Sequence, residues 1–179
     1  IGLPLPSTEF AIQDEDGNHL GVEEIGEICI RGPQVMKGYW NNEEETAKAI
    51  TPDGWFKTGD VGYMRDDGYF KIVDRIKDVI IISGFNVYPS EIEEVVMTHN
   101  NIFEAGCVGM TNTDGSEAIK LFVSLMPGEN LTVEEVIEHC RNQLTGYKIP
   151  KIVEFIDEIP KSNVGKILRR QLRERTSHA

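Results

Sequence analysis

Residues Asp74 to Glu93 read DRIKDVIIISGFNVYPSEIE and decide the architecture of this chain. Asp74, Arg75, Lys77 and Asp78 place four charges around Ile76, a pattern that suits a solvated connection between two packed units. Val79, Ile80, Ile81 and Ile82 follow, all β-branched and closed by Ser83 and Gly84, which predicts a short strand buried on both faces. Gly84 supplies a backbone freedom that a Cβ would oppose. After Tyr88 and Pro89 a helix is expected, with Ser90 capping its start and Glu93 reaching back to the Ser90 amide. Ile92, Val95, Val96 and Met97 would form its buried stripe.

Working outward, turn signals at Asp16-Gly17 and Asp67-Gly68 separate β-rich runs between Glu9 and Val73. One helix interrupts them, capped by Asn42, with acidic residues in its first turn where the helix dipole favours them. Beyond Asp78, helices alternate with strands near Ala105 to Met110, Ile119 to Leu125 and Ile152 to Ile156. Thr132 and Glu135 form a capping-box signature ahead of Val136, Ile137, Cys140 and Leu144. The expected fold is α+β: a small sheet covered by helices, preceded by a β-rich subdomain. The expected divisions are 1–74, a joint at 75–78, and 79–179.

The chain has 179 residues, 40% hydrophobic and 27% charged, an ordinary globular composition. No apolar run approaches the ~20 residues of a membrane span. The opening at Ile1, without a methionine or a signal peptide, reads as a piece cut from a longer protein. Cys29, Cys107 and Cys140 are odd in number and lie in apolar patterns, as reduced core thiols of a cytoplasmic protein would. His19, His99, His139 and His178 make no zinc-like spacing, so no metal site is expected. The formal charge of −12 is uneven, because residues 139–179 hold nine Lys and Arg against four acidic residues, an excess suited to a polyanionic small molecule. Nucleic acid is the rival reading of Lys166 to Arg175. Ile167, Leu168 and Leu172 share a helical face, however, so the arginines are assigned to its solvated side and nucleic acid is not an expected partner.

At this point the sequence resembles the acyl-adenylate-forming enzymes, which include acyl-CoA synthetases, luciferases and peptide-synthetase adenylation domains. Five blocks carry the resemblance in family order: Gly26 to Gly32 with Gly38-Tyr39-Trp40, Phe56 to Asp60, Asp74 to Glu93, Leu144 to Pro150, and Pro160 to Lys166. Their wording is most similar to bacterial long-chain fatty-acid CoA ligases. The resemblance implies an enzyme that joins a fatty acid to ATP as an acyl-adenylate and then to CoA, with Mg2+ accompanying the nucleotide. It implies that Lys166 is catalytic, bridging carboxylate and phosphate oxygens that otherwise repel. It also implies that Asp60 and Arg75 bind the nucleotide, Lys77 is the hinge between two domain poses, and Ser83, Gly84, Phe85 and Asn86 wall a CoA tunnel. Spacing alone would make Lys166 a surface lysine. A phosphate-loop reading fails because Pro160 and Ile167 stand where Gly and Ser or Thr are required. Residues 1–74 would close a larger β-barrel-like amino-terminal domain and, cut free from it, should expose apolar surface and strand edges, so residues 1–179 alone should self-associate and be inactive. Any membrane contact would be peripheral, at the inner face. The rival readings are transfer of the acyl group to a carrier-protein thiol, and a non-catalytic nucleotide- or partner-binding module.

Overall fold

The computed structural model describes residues 1–176; His178 lies outside the described residues. The chain divides into two compact units, Ile1–Lys77 and Asp78–Ala179.

The first unit is an antiparallel sheet of β1 (Glu9–Gln13), β2 (Gly26–Arg31), β3 (Phe56–Met64) and β4 (Phe70–Arg75), in that order. The Asp67-Gly68 signal becomes the tight turn from β3 to β4, where Arg65 N–H donates to the Tyr69 carbonyl at 2.8 Å. Asp16-Gly17 lies in the turn after β1, with the Gly17 amide bonded to the Asp14 carbonyl. Both sheet faces are buried: Ala11 and Cys29 pack with Trp55, while Ile12 and Ile28 pack with Phe70. Between β2 and β3 runs α1 (Glu43–Ala49), whose Glu45 amide donates to the Asn42 side chain as expected.

The second unit holds a two-stranded ribbon, β5 (Ile80–Ile82) with β6 (Phe85–Val87), and a three-stranded sheet. That sheet is ordered β7 (Ile102–Thr111), β8 (Glu117–Leu125), β9 (Ile152–Phe155); β8 pairs antiparallel with β7 and parallel with β9. Two helices, α2 (Pro89–Met97) and α3 (Val133–Arg141), cover one face. There Ile92, Val96, Val136 and Cys140 meet Ala105, Cys107, Leu121, Val123 and Val153. On the other face α4 (Arg169–Thr176) inserts Leu172 against Val108, Phe122 and Ile159. Gly106 makes this possible, since a Cβ there would meet Leu172 Cδ1 at 2.7 Å. Burial of Ala118 to Ser124 without interruption follows from this double covering. The Thr132–Glu135 capping box forms as its residues predict.

Four expectations need correction. The isoleucine run is not buried on both faces: β5 pairs only with β6, so the pleat turns Ile80 inward and leaves Ile81 56% exposed. Ser90 does not cap α2; Tyr88 occupies that position and Pro89 begins the helix, while Glu93 turns inward and accepts the Cys107 amide at 2.8 Å. Met97, 46% exposed, is not in the buried stripe. The stretch 74–78 is not uniformly solvated, because Asp74 and Asp78 are buried at either side of an exposed Ile76-Lys77.

Candidate functional site

In the first unit, β3 and β4 set Asp60 directly opposite Arg75. The Arg75 Nε lies 3.5 Å from Asp60 Oδ1, a contact long enough to leave the carboxylate accepting capacity. Three bonds fix the approach to Asp60. Its amide donates to Thr58 Oγ1 at 3.1 Å, that hydroxyl donates to the Ile28 carbonyl at 2.7 Å, and the Gly59 amide donates to Glu27 Oε1 at 3.0 Å. Gly59 has φ +73°, a left-handed turn that explains a glycine between Thr58 and Asp60. Beside this pair lies a cleft of about 570 Å³ lined in part by Glu27, Tyr39, Lys57, Thr58, Arg75 and Lys77. Lys77, the last residue of this unit, sits in a 3-10 turn, Ile76–Asp78.

The remaining expected residues belong to the second unit. Lys166 does not begin a helix. It closes a tight hairpin in which Ser162 N–H donates to the Lys166 carbonyl and Gly165 N–H to the Ser162 carbonyl, each at 2.8 Å. Lys161 and Ile167 bridge its base, and Gly165 takes φ +79° at its tip. The Lys166 amide is bonded to Ser162 Oγ at 3.2 Å, so the backbone is held on both sides while the side chain is exposed. Among the described residues its ammonium has no ion-pair or hydrogen-bond partner. A rigid hairpin carrying an unneutralised cation can meet anionic oxygens with little reorganisation.

Ser83 and Gly84 form the two-residue turn of the β5–β6 ribbon, with φ +52° and +83°. Positive φ at both positions is what the right-handed twist of a two-residue hairpin demands. No atom lies within 4 Å of where a Gly84 Cβ would stand, so that side of the turn is open. Phe85 stacks on Tyr147 with ring centroids 5.0 Å apart, and Lys148 Nζ binds both Glu91 carboxylate oxygens at 2.6 and 2.7 Å. These contacts tie the ribbon and the turn Gly146–Lys148 to the start of α2. Glu91 and Lys148 were not singled out from the sequence; their separation of 57 residues left no local signal. A groove of about 890 Å³ runs beside the ribbon, lined in part by Ser83, Gly84, Ser116, Tyr147 and Lys151.

The positive excess of residues 139–179 is largely neutralised within the fold. Lys148, Lys161, Arg169, Arg170 and Arg173 all pair with carboxylates, and Arg169 and Arg173 are not on a solvated helix face. Burial pushes the Cys29 and Cys140 thiols up to about 11, and all three cysteines are buried and outside any disulfide. No group of three or more His, Cys, Asp or Glu side chains among the described residues could hold a metal ion.

Comparison with known proteins gives this arrangement a family. The AMP-binding enzyme C-terminal domain matches residues 91–166, and the AMP-binding enzyme domain matches residues 1–40. A long-chain-fatty-acid--CoA ligase of Yersinia pestis is 54% identical over 174 residues, covering 97% of this chain. The chain belongs to the AMP-binding enzyme family. A second family member of the same name, from Bacillus subtilis, is 49% identical over 175 residues. Among solved structures, the ATP-bound MatB of Rhodopseudomonas palustris matches with a TM-score of 0.93 at 35% identity, over 98% of this chain and 35% of that one. This chain spans 31% of the length of both ligases.

Proposed function

We propose that the protein to which these residues belong is an ATP-dependent acid:thiol ligase that makes long-chain fatty acyl-CoA through an acyl-adenylate, releasing pyrophosphate and AMP. The observation that carries this reading is 54% identity over 174 residues to a ligase of that name. In the first half-reaction a fatty carboxylate attacks the α-phosphate of ATP. Lys166 neutralises the oxygens that close on each other, while Asp60 accepts hydrogen bonds from the ribose hydroxyls and Arg75 reaches the ribose or phosphate. Mg2+ accompanying the nucleotide would supply neutralising charge to its phosphates. In the second half-reaction the CoA thiol passes the open side of Gly84, between Ser83, Phe85 and Asn86, and displaces AMP.

Residues 1–74 end a large amino-terminal domain, 75–78 form the joint, and 79–179 form a domain that pivots about Lys77 between the two half-reactions. Residues 1–179 alone catalyse neither. No helix among the described residues is long and apolar enough to cross a membrane. The test is an assay of the full-length protein with ATP, Mg2+, CoA and acids of graded length. AMP and acyl-CoA formed together, with a maximum at long chains, is the expected result. Acyl transfer only to a carrier-protein thiol, or no acid-dependent pyrophosphate release, refutes it.

A further inference from the structure

Asp78 is the first residue of the second unit, yet its side chain is only 8% exposed. Its Oδ1 accepts from Arg173 Nη2 at 2.6 Å, and its Oδ2 lies 3.9 Å from Arg169 Nη1. Arg169 also donates to Glu93 Oε2 at 2.7 Å, while the other Glu93 oxygen holds the Cys107 amide. One connected set of charges therefore joins the start of the unit, α4, α2 and the central sheet. Arg169 and Arg173 stand four apart on α4, one helical turn, so a single helix face presents both guanidinium groups to one carboxylate.

Apolar packing through Leu172 holds α4 against the sheet but is non-directional. The charged contacts are directional and fix how far along its axis, and at what rotation, α4 sits. Buried ion pairs of this kind are weak sources of stability, and their best attested use is to set register. What α4 carries is the Lys166 hairpin. Arg169 follows Lys166 by three residues, and the Leu168 amide is pinned to the Pro160 carbonyl at 2.8 Å, leaving no slack between helix and hairpin.

We propose that Asp78, Arg169 and Arg173 are positioning residues that lock the Lys166 hairpin to the joint-side end of the second unit, so that adenylation depends on them and thioester formation does not. This rests on the role proposed above for Lys166. A slipped α4 would displace the Lys166 ammonium from the phosphate, and a misplacement of about 1 Å is sufficient for losses on the order of 10²-fold.

The experiment uses the full-length protein with Arg173→Gln in the wild-type and Lys166→Ala backgrounds. Fatty-acid-dependent ATP–pyrophosphate exchange reports adenylation, and conversion of supplied acyl-adenylate by CoA reports the second half. Exchange should fall on the order of 10- to 100-fold, in kcat rather than in the KM for ATP, with conversion unchanged. Arg173→Gln should add nothing to Lys166→Ala, and Arg173→Lys should recover part of the loss. Proportional loss of both half-reactions, or a full additional loss on top of Lys166→Ala, overturns the proposal in favour of a merely structural contact. Should Arg173→Gln fail to fold, Arg173→Lys carries the same comparison, since it keeps the charge and loses the fork. Full exchange activity in Arg173→Gln alongside an inactive Lys166→Ala sinks the positioning role alone; wild-type exchange in Lys166→Ala sinks the role of Lys166, and the positioning role with it.

Discussion

Replacing Glu93 by alanine separates two physical accounts of the same residue. As a reciprocal cap on α2 it would contribute about 1 kcal/mol, the usual worth of such a contact. The structure instead buries its side chain to 7% exposure, against an Arg169 that is itself 16% exposed, and gives its other oxygen to the Cys107 amide. Removing one member of a buried pair leaves the partner charge uncompensated and costs roughly 3–5 kcal/mol. The orphaned Cys107 amide accounts for part of that cost, at about 1–3 kcal/mol by itself. For a unit of this size, with a urea m-value near 2 kcal/mol/M, the midpoint should fall by roughly 2 M. The chain supplies its own control. Both tryptophans, Trp40 and Trp55, belong to the first unit, whereas α2, α3 and α4 belong to the second. Urea unfolding of residues 1–179 followed by helical circular dichroism should shift strongly, and tryptophan fluorescence should not. A shift no larger than that of Ser90→Ala would refute the buried-pair account.

Other outcomes follow from the same structure. Lys166→Ala in the full-length protein should lower adenylation on the order of 10² to 10³-fold while still converting supplied acyl-adenylate, measured by pyrophosphate exchange and acyl-CoA formation. Lys77→Pro, which restricts φ at the joint, should spare one half-reaction and block alternation between the two, read as single-turnover activity without steady-state turnover. Cys29 and Cys140 should resist a thiol reagent at pH 8 in the native chain and react fully in denaturant, because burial disfavours the thiolate. Their raised values stabilise the fold fully below the unfolded thiol value near 9, and that contribution is lost as pH rises through about 11, so the urea midpoint should decline over that window. Residues 1–179 should self-associate through the apolar groove lined by Ile1, Leu3, Leu5, Met36 and Phe56; a monomeric mass by light scattering at working concentration would count against it.

What could be read in advance was local. Asn42 and Thr132 cap helices because donor and acceptor lie three residues apart, and the strands near Ala105, Ile119 and Ile152 follow from short runs rich in apolar and β-branched residues. Glu93 accepts from residues 14 and 76 positions away, contacts that leave no local signal, whereas the Ser90 amide is the nearest donor in the sequence. Asp78 looked solvated for the same reason, its guanidinium partner being 95 residues distant. The isoleucine run carried no signal for its two-residue turn beyond Gly84, since Ser83 is an uncommon occupant of the left-handed region. Site residues were legible only through family resemblance. Spacing gave no reason to set Asp60 opposite Arg75, a placement that the register of β3 and β4 produces.

The parallel pairing of β8 with β9 has a consequence for synthesis. β8 is the middle strand, and its second neighbour arrives only after α3 and the turn Gly146–Lys148 have been made. A nascent chain halted before Ile152 would hold an apolar strand with one bare edge, the kind of template that recruits stray strands. Ribosome pausing ahead of that residue, or truncation there, should therefore yield chaperone-bound or aggregated product, whereas interruption after Phe155 leaves every sheet hydrogen-bonding partner already translated.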